Sequence, residues 1–204
     1  MRRLIYVPII HTMVDMGSKS AVLKREYLRR FGVKRWEQSR QVIDEAWEGI
    51  RAKLLALTLP WQRVRIYQDG LPVSGKELEI AQDVATQGSK NYQIVIELVL
   101  RGARLMGTES PELLTREYAH IKRIADAETD AEREEAMRRY AAESPEILKE
   151  RDAFIARRIA GTLEDGEVGL LFLGMMHEVD RLLPEAIQVE FLIDRLPLRE
   201  AEER

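Results

Sequence analysis

The chain contains no cysteine. Disulfides, thiolate nucleophiles, iron–sulfur clusters and cysteine-bound zinc are thereby excluded, and the absence accords with a reducing compartment. A predominance of one charge is also missing. The 32 basic residues nearly offset 35 acidic ones, for a net charge of −3, which gives no overall pull toward nucleic acid or anionic lipid. The high charged fraction reads instead as a solvated surface laced with ion pairs. Trp36, Trp47 and Trp61 show no basic–aromatic interleaving of the kind that single-stranded nucleic acids favour; they read as packing anchors. The apolar stretch Gly169–Met176 is far too short to span a bilayer. The opening, Met1-Arg2-Arg3 followed by Leu4 to Ile10, is broken by Pro8 and lacks a small-residue cleavage site, so it reads as a buried strand rather than a leader. A cytoplasmic protein without membrane or nucleic-acid partners is the expectation.

What is present suits one domain of 204 residues, 45% of them hydrophobic. Leu4–Ile10 is a continuous apolar run, as expected of a parallel strand covered on both faces. A helix over Ala21–Phe31 ends at Gly32, and a second runs from about Trp36 to Leu59 before Pro60. Arg63–Gln68 reads as a second strand ended by Asp69-Gly70, and Ala103–Met106 as a short third one. Helices are expected over Lys76–Thr86 and Lys90–Arg101. Val168–Gly174 is the clearest strand, and Ile187–Ile193 a final candidate. Ser-Pro-Glu occurs at Ser110 and again at Ser144, each time reading as a helix start with a Ser cap and Pro in the first turn. The charged helical stretch between them suggests an insertion at about 111–143. Alternating strands and helices predict an α/β fold: a mainly parallel sheet with helices on both faces. Right-handed crossovers gather all strand C-terminal ends on one edge, where ligands of open α/β sheets bind.

Two of the three histidines fall just past such ends, His11 after the first strand and His177 after Val168–Gly174. Neutral imidazole ligates zinc, manganese, cobalt and iron, and also serves as a general base; the alternative is a hydrogen-bonded histidine buttressing a loop. His120, mid-helix, reads as structural or surface. Asp15, Asp69, Glu109 and Glu178 lie at the same expected edge. Two histidines with one or two carboxylates would hold a divalent cation (Mn, Co, Zn or Fe) with open positions; each acid taken singly also fits a cap or turn. Gly-Ser-Lys at Gly17 and Gly88 lacks Walker spacing and reads as helix capping. Among Arg101, Arg104, Arg151, Arg157 and Arg158, Arg151 stands out beside Asp152, placed to reach an anionic group or a core carboxylate.

From Arg151 the chain runs Arg151-Asp152-Ala153-Phe154-Ile155-Ala156-Arg157-Arg158-Ile159, then Glu164-Asp165-Gly166-Glu167, then Leu171-Phe172-Leu173-Gly174-Met175-Met176-His177. This resembles the closing segment of the TraB/GumN/Tiki group of the EreA/ChaN-like superfamily. In that group Arg with Asn or Asp, a helix, a strand and Gly-x-x-His follow one another. The opening strand also ends in Gly-x-x-His there, matched here by Pro8-Ile9-Ile10-His11 with Pro in place of Gly. The resemblance implies an α/β fold with a paired-histidine site, metal-dependent peptidase activity in the Tiki branch, and esterase or haem-linked roles elsewhere. Asp69 is the nearest counterpart of the family's acidic residue after the second strand.

The expectation is a metal-assisted hydrolase-like enzyme acting on a small molecule or peptide. His11 and His177 are ligands or acid–base groups, Asp69 a further ligand, Glu109 a completing carboxylate and Arg151 the group that orients an anion. A homo-oligomer is compatible with it. Two alternatives are a non-catalytic ligand-binding or sensing domain on the same scaffold and an interaction protein that uses Leu113 to Ala142.

Overall fold

The computed structural model describes residues 1–9 and 20–193, and for 20–26, 30, 39 and 40 the backbone alone. Side chains alternate across a strand, and β1 (Arg2–Ile9) sends Ile5, Val7 and Ile9 to one face and Leu4 and Tyr6 to the other. β2 (Val64–Gln68) and β4 (Val168–Gly174) divide their apolar residues in the same way. With β3 (Arg104–Met106) and β5 (Ile187–Phe191) they form, among the described residues, one five-stranded sheet in the order β3-β2-β4-β1-β5, with every pairing parallel.

Helices cover both faces, as the strand–helix alternation predicts. Trp47, Ile50 and Leu54 of α1 (Ser20–Ala56) and Ile94, Val95 and Leu98 of α3 (Lys90–Leu100) pack on the face carrying Val7, Ile66 and Phe172. The other face lies under Ile155, Ala156 and Ile159 of α5 (Asp130–Thr162). Each buried Leu or Ile contributes about 1.5–3 kcal/mol through area removed from water. α2 (Glu77–Thr86) precedes α3, and α4 (Pro111–Asp126) folds back on α5 as an antiparallel hairpin. Arg116–Glu150 at 3.0 Å and His120–Glu143 at 3.2 Å run across that hairpin. Among the described residues, no helix is long and apolar enough to cross a membrane.

Two helix boundaries differ from expectation in instructive ways. Gly32 interrupts α1 with φ 77° and ψ 170°, but helix resumes at once, so the two predicted helices abut. Only glycine enters that backbone region cheaply. Ser110 caps α4 as predicted, accepting from the Leu113 amide at 3.4 Å, yet Pro145 lies inside α5. There the helix is already running from the capping box of Thr129 and Glu132. A proline in an established helix loses one hydrogen bond and bends it, and the inward stripe through Ile147, Arg151 and Ile155 carries the helix past the lesion.

The sheet order fixes where a site belongs. The chain leaves β2 toward β3 on one flank and leaves β4 toward β5 on the other. β2 and β4 are neighbours, so the crevice beyond their C-terminal ends is the topological switch point.

Candidate functional site

Asp69, one residue past β2, is buried at that crevice. Glu109, three residues past β3, is fully buried beside it. Two backbone contacts tie the Glu109 loop to the segment after β2: Val73 N–H donates to the Glu109 carbonyl at 2.9 Å, and the Glu109 amide donates to Leu71 at 3.0 Å. The approach requires a glycine at 107. A Cβ there would stand 2.7 Å from Val73 Cα and 3.0 Å from the Pro72 carbonyl. His177 follows β4, its amide bonded to the Gly174 carbonyl at 3.2 Å, and its ring is buried.

α5 supplies the rest from two consecutive buried positions, Arg151 and Asp152. Arg151 Nη2 donates to Asp69 Oδ1 at 2.9 Å and to Glu109 Oε1 at 2.5 Å, and its Nε donates to Glu109 Oε2 at 3.2 Å. Nη1 donates to Glu117 Oε2 of α4 at 3.2 Å, and Tyr140 of α5 donates to the other Glu117 oxygen at 3.2 Å. Asp152 Oδ1 pairs with His177 Nδ1, and its Oδ2 accepts from the Glu178 amide at 2.8 Å. A carboxylate holding Nδ1 fixes the tautomer and directs the Nε2 lone pair. That nitrogen faces Asp69 Oδ2 at 3.7 Å. The Gly174 amide donates to the same Asp69 oxygen at 3.0 Å.

One donor atom from each of Asp69, Glu109 and His177 lies within 4.8 Å of the others. A cation with ligand bonds of about 2.0–2.2 Å spaces its ligands by no more than about 4.4 Å, so a contraction of a few tenths of an ångström closes the set. Oxygen, oxygen and imidazole donors suit manganese, cobalt, zinc or iron. The electrostatics point the same way. Asp69, Glu109, Glu117 and Asp152 surround one guanidinium and one imidazole, so negative charge is in excess whatever the state of His177. Burial pushes the Glu109 carboxyl above the ordinary glutamate value, and Asp69 adds to the push against the pull of Arg151. For Arg151, burial opposes the charge, but Glu109, Asp69 and Glu117 outweigh it and hold the guanidinium protonated.

Of the predicted site residues, the structure thus brings together His177, Asp69, Glu109 and Arg151. His11 lies outside the described residues, as do Asp15 and Gly17-Ser18-Lys19. Arg151, expected to reach an anionic group or a core carboxylate, is committed to three carboxylates of the protein itself. Glu178 contributes its amide to Asp152 while its side chain pairs with Arg181 at 3.0 Å. Arg101, Arg104 and Arg157 are exposed, and Arg158 donates to the Gly107 carbonyl at 3.0 Å. Ser89 caps α3 as read, accepting from the Tyr92 amide at 3.2 Å. His120 is structural, buried against the hairpin. Sequence reading passed over the roles of Asp152 and Glu117. Asp152 adjoins Arg151 in a motif already noticed, whereas nothing local marks Glu117, which acts through the hairpin fold. No protein family, curated protein or solved structure matches this chain.

Proposed function

We propose that this rim cluster is the centre of a divalent-cation-assisted, hydrolase-like enzyme. Asp69, Glu109 and His177 would hold the cation, and His11, two residues beyond the end of β1, is the proposed second imidazole. The observation that carries the reading is the buried surplus of carboxylates around a histidine whose Nδ1 is already anchored by Asp152. Buried charge without compensation is strongly disfavoured, and a divalent cation would compensate it. When bound, such a cation would supply polarisation of a carbonyl and activation of water. The protein's own part is to orient the donors: Arg151 clamps Asp69 and Glu109, Gly174 N–H fixes Asp69 Oδ2, and Asp152 fixes the ring. The resemblance to the TraB/GumN/Tiki group supports peptide or ester substrates, and the reading of Leu4 to Ile10 as a buried strand rather than a leader supports a cytoplasmic setting.

The test is turnover of peptide and ester panels by wild type and by Asp69→Asn, Glu109→Gln and His177→Ala, each stripped by chelator and reloaded with Mn, Co, Zn or Fe. Activity that returns with metal in wild type alone supports the proposal. Activity that survives chelation, or persists in all three variants, rejects it. The closure of the cluster favours one second reading. Glu109 is 0% and His177 4% exposed, which suits a cation-holding binding or sensing domain without turnover. That reading predicts retained metal and no hydrolysis across the same panels.

A further inference from the structure

The α4–α5 hairpin spends polar side chains where packing alone asks for apolar ones. On α5, Tyr140, Glu143, Ile147 and Arg151 follow at i, i+3, i+7 and i+11, so they share one face. On α4, Glu117 and His120 are one turn apart and meet that face. Tyr140 Oη donates to Glu117 Oε1, and His120 Nε2 pairs with Glu143, both at 3.2 Å. The His120 and Tyr140 rings stand 5.9 Å apart. A partly buried carboxylate on such a seam costs desolvation that an apolar side chain would not. Helix packing therefore gives no reason for an acid at position 117.

The second Glu117 oxygen supplies the reason. Arg151 gives Nε and Nη2 to Glu109 and Asp69, and Nη1 to Glu117 Oε2 at 3.2 Å. Glu109 stands just before the Ser110 cap of α4, and Glu117 nearly two turns into the same helix. One element thus grips the guanidinium at two of its nitrogens from opposite ends of the fork. A planar fork recognises carboxylates well only while its orientation is fixed. Without Glu117, the buried Nη1 is left to turn toward the other two acids of the set, Asp69 and Glu109. Those carboxylates supply two of the three donors gathered at the rim. We propose that Glu117 is a positioning residue of the rim cluster. It draws Arg151 Nη1 toward α4, with Tyr140 aiming it, and so keeps oxygens of Asp69 and Glu109 open to a further ligand. The hold on Arg151 concerns this chain alone, whereas its effect on cation affinity rests on reading Asp69, Glu109 and His177 as a cation site. The charged hairpin is then an arm of the site, because the packing of α4 on α5 sets where the guanidinium sits.

Two readouts on the full chain test it, in Glu117→Ala, Glu117→Gln and Tyr140→Phe. Glu117→Gln keeps an oxygen for Arg151 and loses the charge, so it separates position from charge. The first readout is the Arg151 Nε–Hε signal in ¹⁵N NMR of chelator-stripped protein, identified by its absence in Arg151→Lys. Hydrogen exchange of that group should quicken at least tenfold in Glu117→Ala and at least threefold in Tyr140→Phe, and change less than threefold in Glu117→Gln. The second readout is calorimetric titration of Mn²⁺, which should bind at least tenfold more weakly to Glu117→Ala and within threefold of wild type to Glu117→Gln. Wild-type exchange in folded Glu117→Ala overturns the proposal. So does Glu117→Gln that matches Glu117→Ala, since charge alone then accounts for the effect. Should Glu117→Ala not fold, wild-type exchange in Tyr140→Phe overturns it instead. If wild type binds no Mn²⁺, the cation reading falls and exchange alone decides the hold on Arg151. If wild type binds Mn²⁺ and folded Glu117→Ala binds it equally, the link from hairpin to site is overturned.

Discussion

At the scale of single residues, the cluster depends on Arg151 more than on any other side chain. Its guanidinium is shared by three acids from three different segments. Arg151→Met should cost about 3–5 kcal/mol, because it leaves buried carboxylates uncompensated; urea denaturation measures this. Arg151→Lys should recover little of the loss, since a point ammonium cannot reproduce the fork on Asp69 and Glu109. Glu109 makes a prediction with a sign. Its pKa is raised on folding, so as pH climbs past the ordinary glutamate value the unfolded chain releases its proton first. The folded state then loses the contribution of this group until pH exceeds the raised value. Compared with Glu109→Gln, wild type should therefore lose stability across that interval and run parallel to the variant above it. Denaturation of both proteins at stepped pH reads this, and a difference that stays constant would contradict the assignment. Much of this layer was legible in the sequence. His177, Asp69, Glu109 and Arg151 each sit at a strand end or within a recognisable segment. Asp152 was visible beside Arg151 but not its bond to His177, and Glu117 was not visible at all, because these partners are set by the packing of α5 and α4 rather than by spacing along the chain.

Among the elements, the loops past β2 and β3 are what hold two acids at contact distance. Gly107 sits between them and tolerates no side chain, since a Cβ would meet backbone atoms of Pro72 and Val73. Gly107→Ala should cost about 1–3 kcal/mol through forced backbone shifts, and the melting temperature should fall accordingly. The same change should move the Glu109 loop, so loss of the cluster geometry accompanies the loss of stability. Pro145 offers the converse. A proline inside a helix removes a hydrogen bond and crowds the preceding turn, so Pro145→Ala should stabilise the folded chain in thermal denaturation, and an unchanged or lower melting temperature would contradict this. Strand positions were readable because continuous apolar runs are the mark of covered parallel strands. β4 falls on its predicted bounds of Val168–Gly174. The second Ser-Pro-Glu misled, because a start signal has no force inside a helix already nucleated at Thr129. Local chemistry could not announce that.

For the molecule as a whole, strand order converts scattered residues into a site. β2 and β4 become neighbours only because the chain returns from β3 through α4 and α5 to insert β4 beside β1. That long return also brings α5 over the sheet, with Arg151 and Asp152 reaching the rim. The expected common edge for strand-end residues follows from parallel pairing, but the order of strands along it, and hence which acids meet, could not be read from alternation of elements. The central claim is that the surplus negative charge gathered there is a cation site. Calorimetric titration of Mn²⁺ into chelator-stripped protein tests it most directly. Wild type should bind one ion saturably, and His177→Ala and Asp69→Asn should each weaken binding at least tenfold while remaining folded. No saturable heat in wild type, or equal binding in the folded variants, would contradict the account.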